Sequence, residues 1–344
     1  MGRILVTGAN GLIGSHITEY FHSKGISPFC MVRERSDTGF LKMLGADIVY
    51  GDVTDLQKLI SVFNSGIDFV IHTAAKVGDW GTYEDFRKVN VEGTSNVLKA
   101  AYANSINNLI ITGSVSCYGE ESSSIVKDEN YPYSSHYKYF MDKIFPSALN
   151  FYRDTKAEAN VQAIKFAELN QFNLTILEPA WVYGEREFHS GFYDFIKLVK
   201  GGLHFLPGSK KNKFHTIYAR DLGKIYYLSY KKELQGVNKI LAVAPEAPNQ
   251  FNLFNLFCEK AGIKIPHRIP KSIIYPPAFL TELMYTISRS KNAPPISRGR
   301  VNIFYDNIEY SSEKLKALLD FTPDYSLEES IEKTILWYKE NKYL

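Results

Sequence analysis

Cysteine is scarce in this 344-residue chain. The three present, Cys30, Cys117 and Cys258, are odd in number and far apart. They offer neither a disulfide framework nor a C-x-x-C metal spacing, so a reducing, cytoplasmic compartment is expected. Charge of one sign is also wanting, since 40 basic and 37 acidic residues leave +3. That excludes the dense basic stripe of an electrostatic nucleic-acid binder. Long apolar runs are missing, so no membrane span is expected. The chain opens Met-Gly-Arg and runs straight into Ile4-Leu5-Val6. No signal peptide is expected from that opening, and Val6 stands where a myristoylated Gly2 would want Ser or Thr. His, Cys and acidic residues do not cluster at metal-ligand spacing, so no metal is expected.

What is present reads as globular. Hydrophobic residues make up 45% and aromatics 14%, enough for a large core and an apolar pocket. The first half alternates short apolar runs with helical patterns. Strands are predicted at Ile4–Val6, Phe29–Val32, Asp47–Tyr50, Asp68–His72, Leu109–Thr112 and Leu174–Leu177, with helices at Leu12–Phe21, Leu56–Phe63, Val91–Tyr102 and Ala157–Leu169. Strands apolar on both faces belong to a parallel sheet covered on both sides. After Pro179 the rhythm breaks, and the basic loop 210–213 reads as solvated surface. A helix follows at Ala219–Tyr230 and a strand at Ile240–Val243. The remainder reads as helical, with breaks at Pro276-Pro277 and Pro294-Pro295. The fold class predicted is α/β, a Rossmann-type doubly wound parallel sheet. Residues 1–180 plus about 214–246 would form it, and 181–213 plus about 247–344 a smaller, mostly helical substrate-binding region.

The first strand runs into Thr7-Gly8-Ala9-Asn10-Gly11-Leu12-Ile13-Gly14, and a helix follows. Glycines at this spacing allow a tight turn, a close backbone approach to pyrophosphate, and close packing of helix on strand. The helix N-terminus then presents free N–H groups to phosphate. Gly8, Asn10, Gly11, Leu12, Ile13 and Gly14 are therefore the candidate dinucleotide cradle. An acid about 20 residues on would select NAD. Arg33 occupies that place and suits a 2′-phosphate, so NADP is favoured over NAD. Asp52, beside Val53, would hold the adenine amine or cap a helix.

Tyr152 and Lys156 lie four apart, on one helix face. A nearby ammonium lowers a phenol's pKa and fits Tyr for proton transfer, and the same Lys can hold ribose hydroxyls. Y-x-x-x-K occurs seven times in the chain, so spacing alone selects nothing. Only Tyr139–Lys143 and Tyr152–Lys156 fall between the fifth and sixth strands, and Pro146 would break a helix carrying the first pair. Ser114, with Ser116 as its rival, follows the fifth strand, at the strand ends where ligands sit. Between Tyr118 and Tyr152, aromatics such as Tyr131, Tyr133, Tyr139 and Phe140 would line a pocket or pack as core. Pro276 to Leu280 is a further candidate wall.

Together these pieces resemble the extended short-chain dehydrogenase/reductases, within the NAD-dependent epimerase/dehydratase superfamily. The matching residues are Gly8-x-x-Gly11-x-x-Gly14, His72-Thr73-Ala74-Ala75, Asn90-Val91-Glu92-Gly93-Thr94, Ser114 before Tyr118-Gly119, Tyr152-x-x-Thr155-Lys156, and Glu178-Pro179-x-x-Val182-Tyr183-Gly184. The resemblance implies Ser114, Tyr152 and Lys156 as the catalytic set. It implies Ala74, Ala75 and Lys76 lining the cofactor, Pro179 and the backbone to Val182 at the nicotinamide, and Asn90 as a buttress. Where nucleotide-sugar members carry Arg and Asn, this chain has Glu178 and Trp181. The run Ala74 to Gly81 is similar to the 3β-hydroxysteroid dehydrogenase-like branch and to ketone reductases of long-chain olefin synthesis. The resemblance thus implies interconversion of a secondary alcohol and a ketone on an apolar small molecule, and a homodimer through helices near Asn96 and Gln162. A nucleotide-sugar epimerase or dehydratase and a non-catalytic NADP-binding regulator are the alternatives.

Overall fold

The computed structural model describes residues 2–119, 125–188, 191–208 and 211–344. Short apolar runs become strands: β1 (Ile4–Thr7), β2 (Phe29–Val32), β3 (Asp47–Tyr50), β4 (Phe69–His72), β5 (Asn108–Thr112), β6 (Asn173–Pro179), β7 (Trp181–Tyr183), β8 (Phe205–Pro207), β9 (Thr216–Tyr218), β10 (Val237–Ala242) and β11 (His267–Ile269). Seven of them form one parallel sheet in the order β10-β6-β5-β4-β1-β2-β3. The chain winds outward from β1 through β2 to β3, then returns to β4 on the other side of β1. The order therefore reverses at β1/β4, where the carboxyl ends of the strands open a crevice.

Both faces of the sheet are covered, so its central strands are buried along most of their length. On one face Ile17, Phe21, Leu222 and Tyr226, from helices Leu12–Ser23 and Ala219–Lys232, pack on Ile4, Val6 and Ile71. On the other, Leu59, Val97, Leu98 and Ala163 cover Leu5, Val70 and Leu109. Each such Leu, Ile or Phe contributes about 1.5–3 kcal/mol by leaving water. A third cluster, rich in aromatics, joins β7 and β9 to the C-terminal helices, with Phe192 stacked on Phe257 at 4.0 Å.

The crossovers close alike at the amino-end rim of the sheet. Gly25, Gly45, Ser105 and Gln171 take positive φ, and the next residue's N–H reaches back five residues, as in Ile26 N to Phe21 O and Phe172 N to Ala167 O. This is the Schellman closure, and the apolar residue after it tucks under the helix.

Among the differences from expectation are the short strands β7, β8, β9 and β11, the last in a stretch expected to be helical, and two helices. The helix expected from Ala157 begins at Ala148, with Ser147 as N-cap just past Pro146, so Tyr152 lies in its second turn. Pro276 and Pro277 do not break the chain but lie inside a helix, Lys271–Ile287. Buried Ala278 and the buried pair of Glu282 with Arg298 (2.8 Å) anchor it there, overriding the local penalty. No helix among the described residues is long and apolar enough to cross a membrane. Of the basic loop, Lys210 lies outside the described residues, and Lys213 Nζ donates to the Ala247 carbonyl at 3.1 Å.

Candidate active site

The glycine turn is shaped by what it cannot hold. Gly8 has φ +68, and a Cβ there would lie 2.8 Å from Ala74 Cα. A Cβ on Gly14 would lie 2.4 Å from the Gly8 carbonyl oxygen. Gly8 N and Ala9 N donate to Met31 O at 3.0 and 3.3 Å, tying the turn to β2. Gly11 caps the following helix without a side-chain bond, which leaves its first amides to a ligand. Asn10 and Gly11 are exposed, and Leu12 and Ile13 half-buried. The turn thus packs backbone on backbone too closely for a side chain at Gly8 or Gly14, and with the first helix amides open it fits a pyrophosphate. Sequence reading missed Arg186. Its guanidinium donates to Ser15 Oγ (3.0 Å) and Glu19 (2.6 Å) and stacks on Phe40 at 3.8 Å, bringing a cation to the same first turn.

Arg33 is exposed beyond the end of β2. Asp52 does not cap the next helix. Its Oδ1 accepts from Thr54 N and Oγ1, both at 2.9 Å, in a local turn. The capping role falls to Asp55, which accepts from Lys58 N at 3.0 Å. Val53 is buried, and Asn96 Nδ2 holds its carbonyl at 3.0 Å.

A chain of contacts leads from this turn to Tyr152. Ala74 faces Gly8, and its N–H donates to Thr7 Oγ1 at 3.3 Å. Lys76 N donates to Asn90 Oδ1 at 2.8 Å, and Asn90 Nδ2 donates back to Lys76 O and across to Thr155 Oγ1, both at 3.1 Å. Asn90 sits where the helix widens into a π-turn, Lys88–Glu92, a distortion common at functional positions. Ala75 is half-buried between these points.

Thr155 shares its helix with Tyr152 and Lys156. Half-buried Tyr152 lies near enough to Ser114, at the carboxyl end of β5, for the serine hydroxyl to act on its pKa. Ser114 Oγ in turn accepts from Ser116 N at 3.2 Å and pairs with Ser116 Oγ at 2.8 Å, so the two serines act as one unit. Lys156 is buried, its pKa lowered by that burial, and its Nζ donates to Thr112 O at 2.5 Å. The expected depression of the phenol by this ammonium is corrected by the structure. Burial pushes the Tyr152 hydroxyl up to about 12, with the Ser114 hydroxyl opposing, while the ammonium donates to the Thr112 carbonyl. His72, between Thr7 Oγ1 (2.8 Å) and Thr94 Oγ1 (3.1 Å), is held neutral, lowered to about 3 by burial and then by Lys156.

Behind this group lies a polar knot whose bonds the sequence did not reveal. Buried Glu178 accepts from Tyr118 and Tyr133 hydroxyls, each at 2.6 Å, and from Asn160 at 2.9 Å. Burial raises it from 4.5 to about 7. Pro179 ends β6, Val182 is half-buried, and Trp181 packs on Phe214 at 5.4 Å.

Three comparisons bear on this geometry. The profile of the NAD dependent epimerase/dehydratase family matches residues 4–244. The chain is 24% identical to a 2-alkyl-3-oxoalkanoate reductase of Stenotrophomonas maltophilia, over 96% of this chain and 98% of that protein. It is 23% identical to a decarboxylating sterol-4-alpha-carboxylate 3-dehydrogenase of Candida albicans, over 98% of each. In fold it is similar to a UDP-glucose 4-epimerase of Thermotoga maritima, with TM-score 0.76 at 19% identity over 99% of each chain.

Proposed function

As the chain belongs to the NAD dependent epimerase/dehydratase family, we propose that it is an NAD(P)-dependent oxidoreductase interconverting a secondary alcohol and a ketone on a largely apolar small molecule. One observation carries this reading. Tyr152 meets Ser114 at the sheet's carboxyl edge, joined to the glycine cradle through Ala74, Lys76, Asn90 and Thr155. A nicotinamide dinucleotide, when bound, supplies or accepts the hydride. The Tyr152 hydroxyl gives its proton to the carbonyl oxygen on reduction and takes it back on oxidation. The Ser114 hydroxyl holds that oxygen against the phenol. Lys156 is the group to hold the ribose hydroxyls.

The remaining assignments follow the same reading. Gly8 to Gly14 carries the pyrophosphate, Arg33 a 2′-phosphate, and Asp52 with Val53 the adenine. Ala74, Ala75 and Lys76 line the cofactor, and Pro179 and Val182 face the nicotinamide. Residues 181–213 and 247–344 form the substrate side, and the assembly is a homodimer. The apolar substrate class is supported by Trp181, committed to an aromatic cluster, and by Glu178, committed to two tyrosines and Asn160. It agrees with the reductase and sterol dehydrogenase named above.

NADPH absorbance with a panel of alkyl and cyclic ketones tests the reading. Tyr152→Phe should lower kcat at least about a hundredfold while the thermal shift on adding NADPH survives. Undiminished turnover in that variant removes the phenol from the chemistry. Sugar-nucleotide interconversion with no net change in absorbance would assign an epimerase instead.

A further inference from the structure

The helix Lys271–Ile287 carries an apolar stripe turned away from the protein. Ile273, Leu280, Met284 and Ile287 fall within an arc of about 60° at the helical period. Its opposite side holds buried Ala278 and Glu282. Phe140 and Ile144 are exposed on the segment that precedes the Tyr152 helix. Phe140 packs on Phe279 at 5.1 Å, and Arg298 donates to the Phe140 and Phe145 carbonyls, binding the two segments together. These six residues are each 56–69% exposed. Single exposed apolar residues are ordinary, but four on one helix arc, with two more on a segment bound to that helix, mark an interaction surface.

The charges around the stripe have one sign. Lys138, Lys143, Arg289 and Lys291 are exposed on and next to these segments. The two carboxylates present are withdrawn. Glu282 is 3% exposed and paired with Arg298. Asp142 is held by His136 at 2.7 Å and by Asn150 at 3.2 Å. An apolar helix face with cations around it, and with its acids engaged by protein partners, has the chemistry of an interfacial helix lying on an anionic bilayer.

We propose that this face, helix Lys271–Ile287 with residues 138–144, docks the protein on an anionic lipid surface. The apolar stripe enters the headgroup region, and the lysines and arginines meet lipid phosphates. Nothing here depends on the hydride reading.

The test is co-sedimentation of the full chain with phosphatidylcholine vesicles, with and without phosphatidylglycerol. The protein should pellet with the anionic vesicles and be released by salt. A Met284→Glu/Ile287→Glu double variant should lower the partition about tenfold or more. A Lys138→Glu/Lys143→Glu variant should lose the preference for phosphatidylglycerol. An unchanged Tm and an unchanged NADPH thermal shift certify that the variants are folded. Failure of the wild type to pellet, or equal pelleting by the variants, overturns the proposal. So does a dimer, seen by light scattering without vesicles, that Met284→Glu/Ile287→Glu dissociates, because the face would then belong to a second copy of the chain.

Discussion

Arg33 follows β2 as an exposed cation at the carboxyl edge of the sheet. A guanidinium on a 2′-phosphate is worth about 1.5–3 kcal/mol as a charge-assisted bond. NADPH should therefore raise Tm more than NADH at equal concentration, and Arg33→Glu should erase the difference. Equal shifts in the wild type would mean that this residue does not read the phosphate. Glu178 sets a pH dependence. The folded chain raises it from 4.5 to about 7, chiefly by burial, so between those values the folded state holds a proton that the unfolded state has released. This contribution to stability is full below about 4.5 and is lost as pH rises through about 7. Glu178→Gln should flatten that fall, and the difference between the two stability profiles from pH 5 to pH 8 should be on the order of 2–3 kcal/mol. Parallel profiles in urea unfolding would contradict the assignment.

At the scale of elements, the glycine turn and the helix after it behave as one unit. A methyl at Gly14 would press into the Gly8 carbonyl oxygen and Ala9 Cα. Gly14→Ala should cost about 1–3 kcal/mol by overpacking and remove the NADPH thermal shift, whereas a fold that absorbed the methyl would keep both. This unit was legible in the sequence because strand, turn and helix are contiguous. So were β1 to β6, short apolar runs with no competing pattern. Topology also singled out Tyr152, and the structure brings it to Ser114. What stayed illegible is non-local. Glu178 finds partners 18, 45 and 60 residues away, and neither spacing nor composition records them. The three-residue strands β7 and β9 are too short for periodicity. The start of the Tyr152 helix was hidden by Asn150 and Arg153, polar residues that are buried through tertiary bonds. The orientation of Lys156 toward Thr112 is likewise a property of the folded chain, which is why spacing predicted a depressed phenol and the structure gives a raised one.

The whole molecule joins two differently built cores. The sheet is aliphatic within and closed by helices, whereas the third cluster is largely aromatic and gathers the far C-terminus, where Tyr338 donates to Gly184 O and Glu187 O. The loop after β4 bridges them, with Trp80 Nε1 on Ser290 O at 2.9 Å and Asp79 paired with Arg300. The apolar stripe of Lys271–Ile287 lies on a helix outside the parallel sheet, so a protein held on lipid by it would keep that sheet outside the bilayer. The sheet itself has two unequal rims. At the carboxyl edge one added carbon at Gly8 or Gly14 is felt at once. At the other, the helix-ending turns at Gly25 and Gly45 meet nothing within 4 Å of an added Cβ. That back rim is the natural seam for splicing in a tag, a reporter or a lengthened loop, because an insertion there grows outward into water.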